Sequence, residues 1–167
     1  MGVSDHKAHA PARVSCFVLT VSDTRTMETE TSGRAIAELL EDAGHTVVDR
    51  LVVRDEPADV ARVIRGAIAR ATVDVAITTG GTGIATRDST YEALTAIFDK
   101  RMDGFGELFR VLSFEDIGPA AMLSRACAGI IANKAVFLLP GSEAAVRLAM
   151  ARLILPELGH VVRELRK

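Results

Sequence analysis

At 167 residues the chain has the length of one domain, and its 49% hydrophobic and 25% charged residues with a formal charge of -2 are ordinary for a globular fold. No Trp, one Tyr and 4% aromatics leave neither the basic face nor the stacking platforms of a nucleic-acid binder, so neither nucleic acid nor membrane is expected as a partner. Cys16 and Cys127 lie far apart in apolar runs with no metal-ligand spacing, and read as reduced core residues of a cytoplasmic protein.

Met1 to Ala12 is polar and without an apolar stretch, so it reads as a disordered tail, not a signal peptide or anchor, before a single domain from Arg13 to Lys167. Cys16 to Val21 is a continuous apolar run suited to a strand covered on both faces. Ser22-Asp23 opens a polar loop reaching Thr31; Ser32 is placed to cap a helix with Ile36, Leu39, Leu40 and Ala43 on one side, stopped by Gly44. Val47 to Val53 is a second strand. Asp55-Glu56-Pro57 then starts a helix whose apolar face is Val60, Val63, Ile64, Ala67 and Ile68.

Val73 to Thr79 is the central strand, and it pours into Gly80-Gly81-Thr82-Gly83. Glycines let a backbone turn sharply and approach a bound group closely. No Lys-Ser/Thr follows, which excludes a Walker A loop, and Thr86 stands where the dinucleotide fingerprint needs its last glycine. Ser89 with Glu92 has capping-box spacing for a helix running to Phe98. Beyond it, Asp103 to Gly106 reads as a loop, Glu107 to Phe114 as a helix closed by Ile117-Gly118-Pro119, and Ala126 to Ala132 with Ala135 to Leu139 as a hairpin about Asn133-Lys134. Pro140-Gly141-Ser142 leads into a helix through Ile154, and Pro156 starts a last short one.

Strand and helix alternate through the first half, the α/β pattern of a mostly parallel sheet covered on both faces. Loops after parallel strands share one edge, where ligands bind. Ser22-Asp23, Asp55-Glu56, Thr79 to Asp88 and Pro140-Gly141-Ser142 are therefore expected to converge. Amide donors set among carboxylates suit an anion only if a divalent metal lies between, which points to phosphoryl or nucleotidyl transfer with Asp55 or Asp88 holding Mg²⁺. The same residues also admit a plain reading: glycines that serve a strand-to-helix turn, Asp55 and Asp88 that cap helices, and an Asp23 that is merely solvated.

Thr79-Gly80-Gly81-Thr82-Gly83 with Arg87-Asp88-x-Thr90-x-Glu92, then Gly104-Phe105-Gly106-Glu107, Ser124-Arg125-Ala126 and Pro140-Gly141-Ser142, resembles the molybdenum cofactor biosynthesis MoaB/MogA family, which includes the gephyrin G domain. The likeness covers about Arg13 to Leu158, and Asp103 to Gly118 with the Ala132-Asn133-Lys134 turn is closer to the MoaB branch than to MogA. It implies a three-layer α/β/α sandwich with a mostly parallel sheet and one antiparallel strand, assembled as homotrimers or homohexamers. It also implies Mg²⁺-dependent transfer of AMP from ATP to molybdopterin, with Asp55 and Asp88 as catalytic and metal residues. Thr79, Gly80, Gly81, Thr82 and Gly83 with Pro140, Gly141 and Ser142 would line the nucleotide and pterin site. Ser22, Asp23, Gly104, Glu107, Ser124 and Arg125 are further binding candidates. Where the family commonly has Thr-Pro-Glu, this chain has Thr90-Tyr91-Glu92, and the loss of Pro is expected to matter little. A non-catalytic molybdopterin-binding or scaffold protein is the competing reading, and a nucleotide-processing relative acting on another substrate is a third.

Overall fold

The computed structural model describes residues 10–167. Its six strands stand in the order β2-β1-β3-β6-β5-β4. They are β1 (Ser15–Val21), β2 (Thr46–Val53), β3 (Val75–Thr79), β4 (Lys100–Arg101), β5 (Cys127–Ile131) and β6 (Lys134–Leu139). β2, β1, β3 and β6 are parallel, while β5 pairs antiparallel with both β6 and β4 and so runs against the rest.

Side chains alternate across the pleat and build two cores. Cys16, Val18, Val75, Ile77, Phe137 and Leu139 pack under α1 (Ser32–Asp42), α4 (Asp103–Ile117), α5 (Glu143–Ala149) and α6 (Leu155–Leu165). Phe17, Leu19, Val21, Ala76, Val136 and Leu138 pack under α2 (Pro57–Ala69) and α3 (Thr90–Thr95). The expected three-layer α/β/α sandwich with one reversed strand is the fold observed. β3 is buried along its whole length, as its unbroken apolar run requires.

Several local expectations are corrected. Asp103 to Gly106 is the first turn of α4, not a loop. Gly106 is there for packing, because a Cβ on it would lie 2.7 Å from the Ala126 carbonyl oxygen where α4 crosses the start of β5. α3 ends at Thr95, short of Phe98. The hairpin turns on Ala132-Asn133, one residue earlier than expected, with φ of 48° and 60°, the left-handed pair that suits a two-residue turn. Edge strand β4 has only two residues, both charged, and leaves no periodic signal. Pro156 sits inside a helical run that is continuous from Glu143 to Leu165. Lacking an N–H for the preceding turn, it follows a π-helical stretch, Met150–Ile154, in which the helix widens. Of the tail expected to be disordered, residues 1–9 lie outside the described residues, and Pro11 packs on α6, its carbonyl oxygen 2.7 Å from where a Gly159 Cβ would stand.

Candidate functional site

The four loops expected to converge do meet at one edge of the sheet, joined by hydrogen bonds from loop to loop. The Ser22 amide donates to the Val53 carbonyl at 2.8 Å, and the Asp55 amide to the Asp23 carboxylate at 3.1 Å. The Gly80 amide donates to the Leu139 carbonyl at 3.1 Å, and the Thr79 hydroxyl to the Pro140 carbonyl at 2.7 Å. The Ser32 hydroxyl reaches the Gly141 carbonyl at 2.7 Å, tying the start of α1 to the loop after β6.

Gly80 and Gly81 turn the chain with φ of 97° and 70°, the left-handed region that favours glycine. Their missing side chains also make room. A Cβ on Gly81 would stand 2.0 Å from the Thr90 hydroxyl and 2.7 Å from the Asp55 carboxylate. On Gly83 it would stand 2.7 Å from the Asp88 carboxylate. Both predicted acids therefore face one glycine loop. The amides of Gly81, Thr82 and Gly83 donate to no described residue. The buried Thr90 hydroxyl has no partner either.

Asp55 is buried and held by α3's entry: the Ser89 hydroxyl donates to it at 2.6 Å and the Ser89 amide at 3.3 Å. The expected capping box between Ser89 and Glu92 is thus replaced by two tertiary contacts, Ser89 to Asp55 and Glu92 to Arg125. Asp88 accepts from the Ala85 amide at 3.0 Å, which folds the loop's far end. Exposed Arg87 closes the rim with bonds of 2.8 and 3.1 Å to Asp23 and 2.7 Å to Glu56. That guanidinium holds the Asp23 carboxyl below its ordinary range.

The remaining candidates separate into those near the loop and those away from it. Arg125 binds the carbonyls of Gly83 and Asp88. Ser124 turns inward on the Ala126 amide, and Ser142 caps α5 through the Ala145 amide at 3.2 Å. Ser22 folds its own loop by accepting from the Thr24 and Arg25 amides. Ser32 lies within α1, after Thr31, and does not cap it. Gly104 and Glu107 stand exposed on α4, and no hydrogen bond ties them to the glycine loop.

Glu30 was not legible as a site residue. It is buried, accepts from the Thr20 hydroxyl at 3.0 Å and the Gly33 amide at 2.7 Å, and pairs with Arg50 of β2. With Ser22, Arg25, Ser32, Gly80 and Gly141 it lines a polar cavity of about 180 Å³ on one side of the glycine loop. On the other side Ile84, Asp88, Ser89, Glu92 and Arg125 border a wider opening of about 380 Å³. Its one available signal is Gly33 three residues on, which has to be small because a Cβ would fall 2.2 Å from the Thr20 hydroxyl.

Among the described residues no cluster of three or more acid, His or Cys side chains could hold a metal. The rim offers at most a pair of carboxylates beside free amides, which fits Mg²⁺ arriving on a phosphate chain and does not fit a caged resident ion. Both thiols are buried and unpaired, and burial pushes Cys16 up to about 12 and Cys127 up to about 11, which removes them as nucleophiles.

Comparison with known proteins shows the family. The family described as a probable molybdopterin binding domain matches residues 17–160. Molybdenum cofactor biosynthesis protein B of Halalkalibacterium halodurans is 54% identical over 168 residues, covering 100% of this chain and 99% of the relative. The protein of that name from Bacillus subtilis is 52% identical with the same coverage. A crystal structure of molybdenum cofactor biosynthesis protein B superposes with a TM-score of 0.91 at 52% identity, covering 95% of this chain and 99% of that one. The tungsten cofactor synthesizing protein MoaB from Pyrococcus furiosus gives 0.84 at 38% identity, covering 95% and 100%.

Proposed function

Because the chain belongs to the family of molybdenum cofactor biosynthesis proteins built on the molybdopterin-binding domain, we propose that it transfers AMP from ATP to molybdopterin in a Mg²⁺-dependent reaction that releases pyrophosphate. The observation that carries this reading is the triplet of free amides at Gly81, Thr82 and Gly83, flanked by Asp55 and Asp88. Amides alone suit any anion; amides set between two carboxylates suit an anion that brings its own cation.

The amides of the loop would hold phosphate oxygens, with Asp55 and Asp88 supplying oxygens to Mg²⁺. When bound, that ion neutralises charge on the triphosphate. A terminal phosphate oxygen of molybdopterin attacks the α-phosphorus of ATP, the bond from that phosphorus to the bridging oxygen breaks, and pyrophosphate leaves with the electron pair. The attacking oxygen is already ionised near neutrality, so no side chain has to take its proton, and the protein contributes position and charge. Asp55, gripped by Ser89, cannot swing away from the loop as ligands enter.

Pyrophosphate release with ATP, Mg²⁺ and molybdopterin tests the proposal. Asp88→Asn is expected to slow it by about 100-fold or more while leaving thermal unfolding in place; near-normal turnover by that variant refutes the metal role. Molybdopterin binding without any turnover of ATP would assign the chain to the scaffold reading, and release that does not need the pterin would assign it to another nucleotide substrate.

The reading extends to assembly and place of action. Val111, Phe114 and Met122 of α4 and the turn after it are exposed, Phe114 at 59% and Met122 at 78%, around an apolar groove of about 540 Å³, and Ile117 is exposed on the same helix. A surface so apolar is a contact face, and we assign it to a homo-oligomer, trimer or hexamer, acting in the cytoplasm. Light scattering that gives a monomer at working concentration overturns the assembly.

A further inference from the structure

Arg125 stands among the expected ligand-binding residues, yet its guanidinium is already engaged on all sides. Nε donates to the Gly83 carbonyl at 2.9 Å, and one terminal nitrogen to the Asp88 carbonyl at 3.3 Å and to Glu92 at 3.4 Å. The other terminal nitrogen pairs with Glu92. The Arg125 amide adds a bond to the Thr82 carbonyl at 3.2 Å. An arginine side chain has five N–H donors, and these contacts use four of them. The plane of the group lies over the Tyr91 ring, 4.9 Å from its centroid, and Arg101 approaches the same ring at 5.9 Å.

We propose that Arg125 is a positioning residue: it fixes the Thr82 to Asp88 segment so that the Asp88 carboxylate meets the cation of a metal–nucleotide complex, and it does not itself bind the nucleotide. This rests on the proposed use of Asp88 for Mg²⁺. Among the described residues, the segment's other side-chain ties to the rest of the protein are those of Arg87 near its far end, to Asp23 and Glu56, and none of them reaches Gly83 or the Asp88 backbone. Ile84, Ala85, Thr86 and Arg87 are exposed, and the ties within it are the Ala85 amide to the Asp88 side chain and the Asp88 amide to the Ala85 carbonyl at 3.0 Å. Arg125 comes in from the start of β5 and takes hold of the segment at both ends, Gly83 and Asp88. Glu92, in the first turn of α3, anchors the guanidinium, and the Tyr91 ring supports its face. A lysine could keep the charge pair with Glu92 but could not span the two carbonyls as the planar fork does.

The test measures binding of Mn²⁺ with ATP by electron paramagnetic resonance, and of ATP in EDTA by calorimetry, for wild type, Arg125→Met, Arg125→Lys, Asp88→Asn and the double variant Asp88→Asn/Arg125→Met. Loss of a group that orients a metal ligand costs about 10- to 100-fold in metal affinity. Arg125→Met is expected to weaken Mn²⁺·ATP about tenfold, to leave metal-free ATP binding unchanged, and to add nothing in the Asp88→Asn background; Arg125→Lys should recover only part of the loss. Equal weakening of metal-free ATP, or full recovery by Lys, would make Arg125 a direct phosphate contact and overturn the inference. A wild type that binds Mn²⁺·ATP while Arg125→Met binds it equally well overturns the inference alone. A wild type indifferent to the metal overturns the metal reading and this inference with it.

Discussion

Gly81→Ala is the substitution whose cost can be worked most directly from the geometry. Two penalties add at this position. The backbone φ of 70° puts an alanine in the left-handed region, at about 1–2 kcal/mol. The new methyl would then stand 2.0 Å from the Thr90 hydroxyl and 2.7 Å from the Asp55 carboxylate, both held by the first turn of α3. Forcing such neighbours apart in a packed site costs about 1–3 kcal/mol more.

Gly44 supplies the control that separates the two terms. Its φ is 86°, but no atom lies within 4 Å of where its Cβ would be, so Gly44→Ala bears the conformational cost alone, about 1–2 kcal/mol. Urea unfolding at equal protein concentration should place Gly81→Ala about 1–3 kcal/mol below Gly44→Ala. Pyrophosphate release should fall in Gly81→Ala and hold in Gly44→Ala, because only the first displaces Asp55. Equal destabilisation by the two alanines would refute the claim that Gly81 is a glycine for the sake of its neighbours.

Glu30→Gln leaves Arg50 without its carboxylate and offers one carbonyl oxygen where two oxygens were used; with Arg50 22% exposed, solvent softens the loss to about 2–3 kcal/mol, read as a lower urea midpoint. His45 accepts the Val14 amide on Nδ1 at 3.2 Å, and burial lowers its pKa from the ordinary 6.5. The unfolded chain therefore binds that proton first, so stability from His45 is complete above about pH 6.5 and erodes as pH falls toward the lowered value; His45→Gln should flatten the pH profile there. Asp23 is held below its ordinary carboxyl value by Arg87, so its contribution is present above that ordinary value and is lost as pH falls through the lowered one. In Arg87→Gln the Asp23 carboxyl should titrate higher by NMR, and an unmoved titration would mean the contact is not kept in solution.

What could be read from the chain follows from which interactions are local and which are repeated by the architecture. The run Val75–Thr79 and the glycines after it are adjacent in sequence, so strand and loop announce themselves together. The meeting of the loops that carry Asp23, Asp55 and Asp88 was legible for a different reason: parallel strands deliver their following loops to one edge whatever the side chains are. Glu30 had neither advantage. It lies in a polar run that looks solvated, and its burial comes from Thr20 on one strand and Arg50 on another.

The misread glycines show the same limit from the other side. Gly104 and Gly106 suggested a break because glycine is a poor helix former, at about 1 kcal/mol against alanine. α4 nevertheless runs through both, with Phe105 and Phe109 buried between them and below. Burying one such aromatic is worth about 1.5–3 kcal/mol, more than the glycine penalty, so packing decides the outcome. The capping box failed by the same arithmetic. A serine cap is worth about 1 kcal/mol, whereas hydrogen bonds to a charged partner contribute about 1.5–3 kcal/mol each. Ser89 therefore serves Asp55 and Glu92 serves Arg125, and α3 begins without a side-chain cap. A local motif gives way where a tertiary charge lies within reach, and here that charge belongs to the rim of the proposed site.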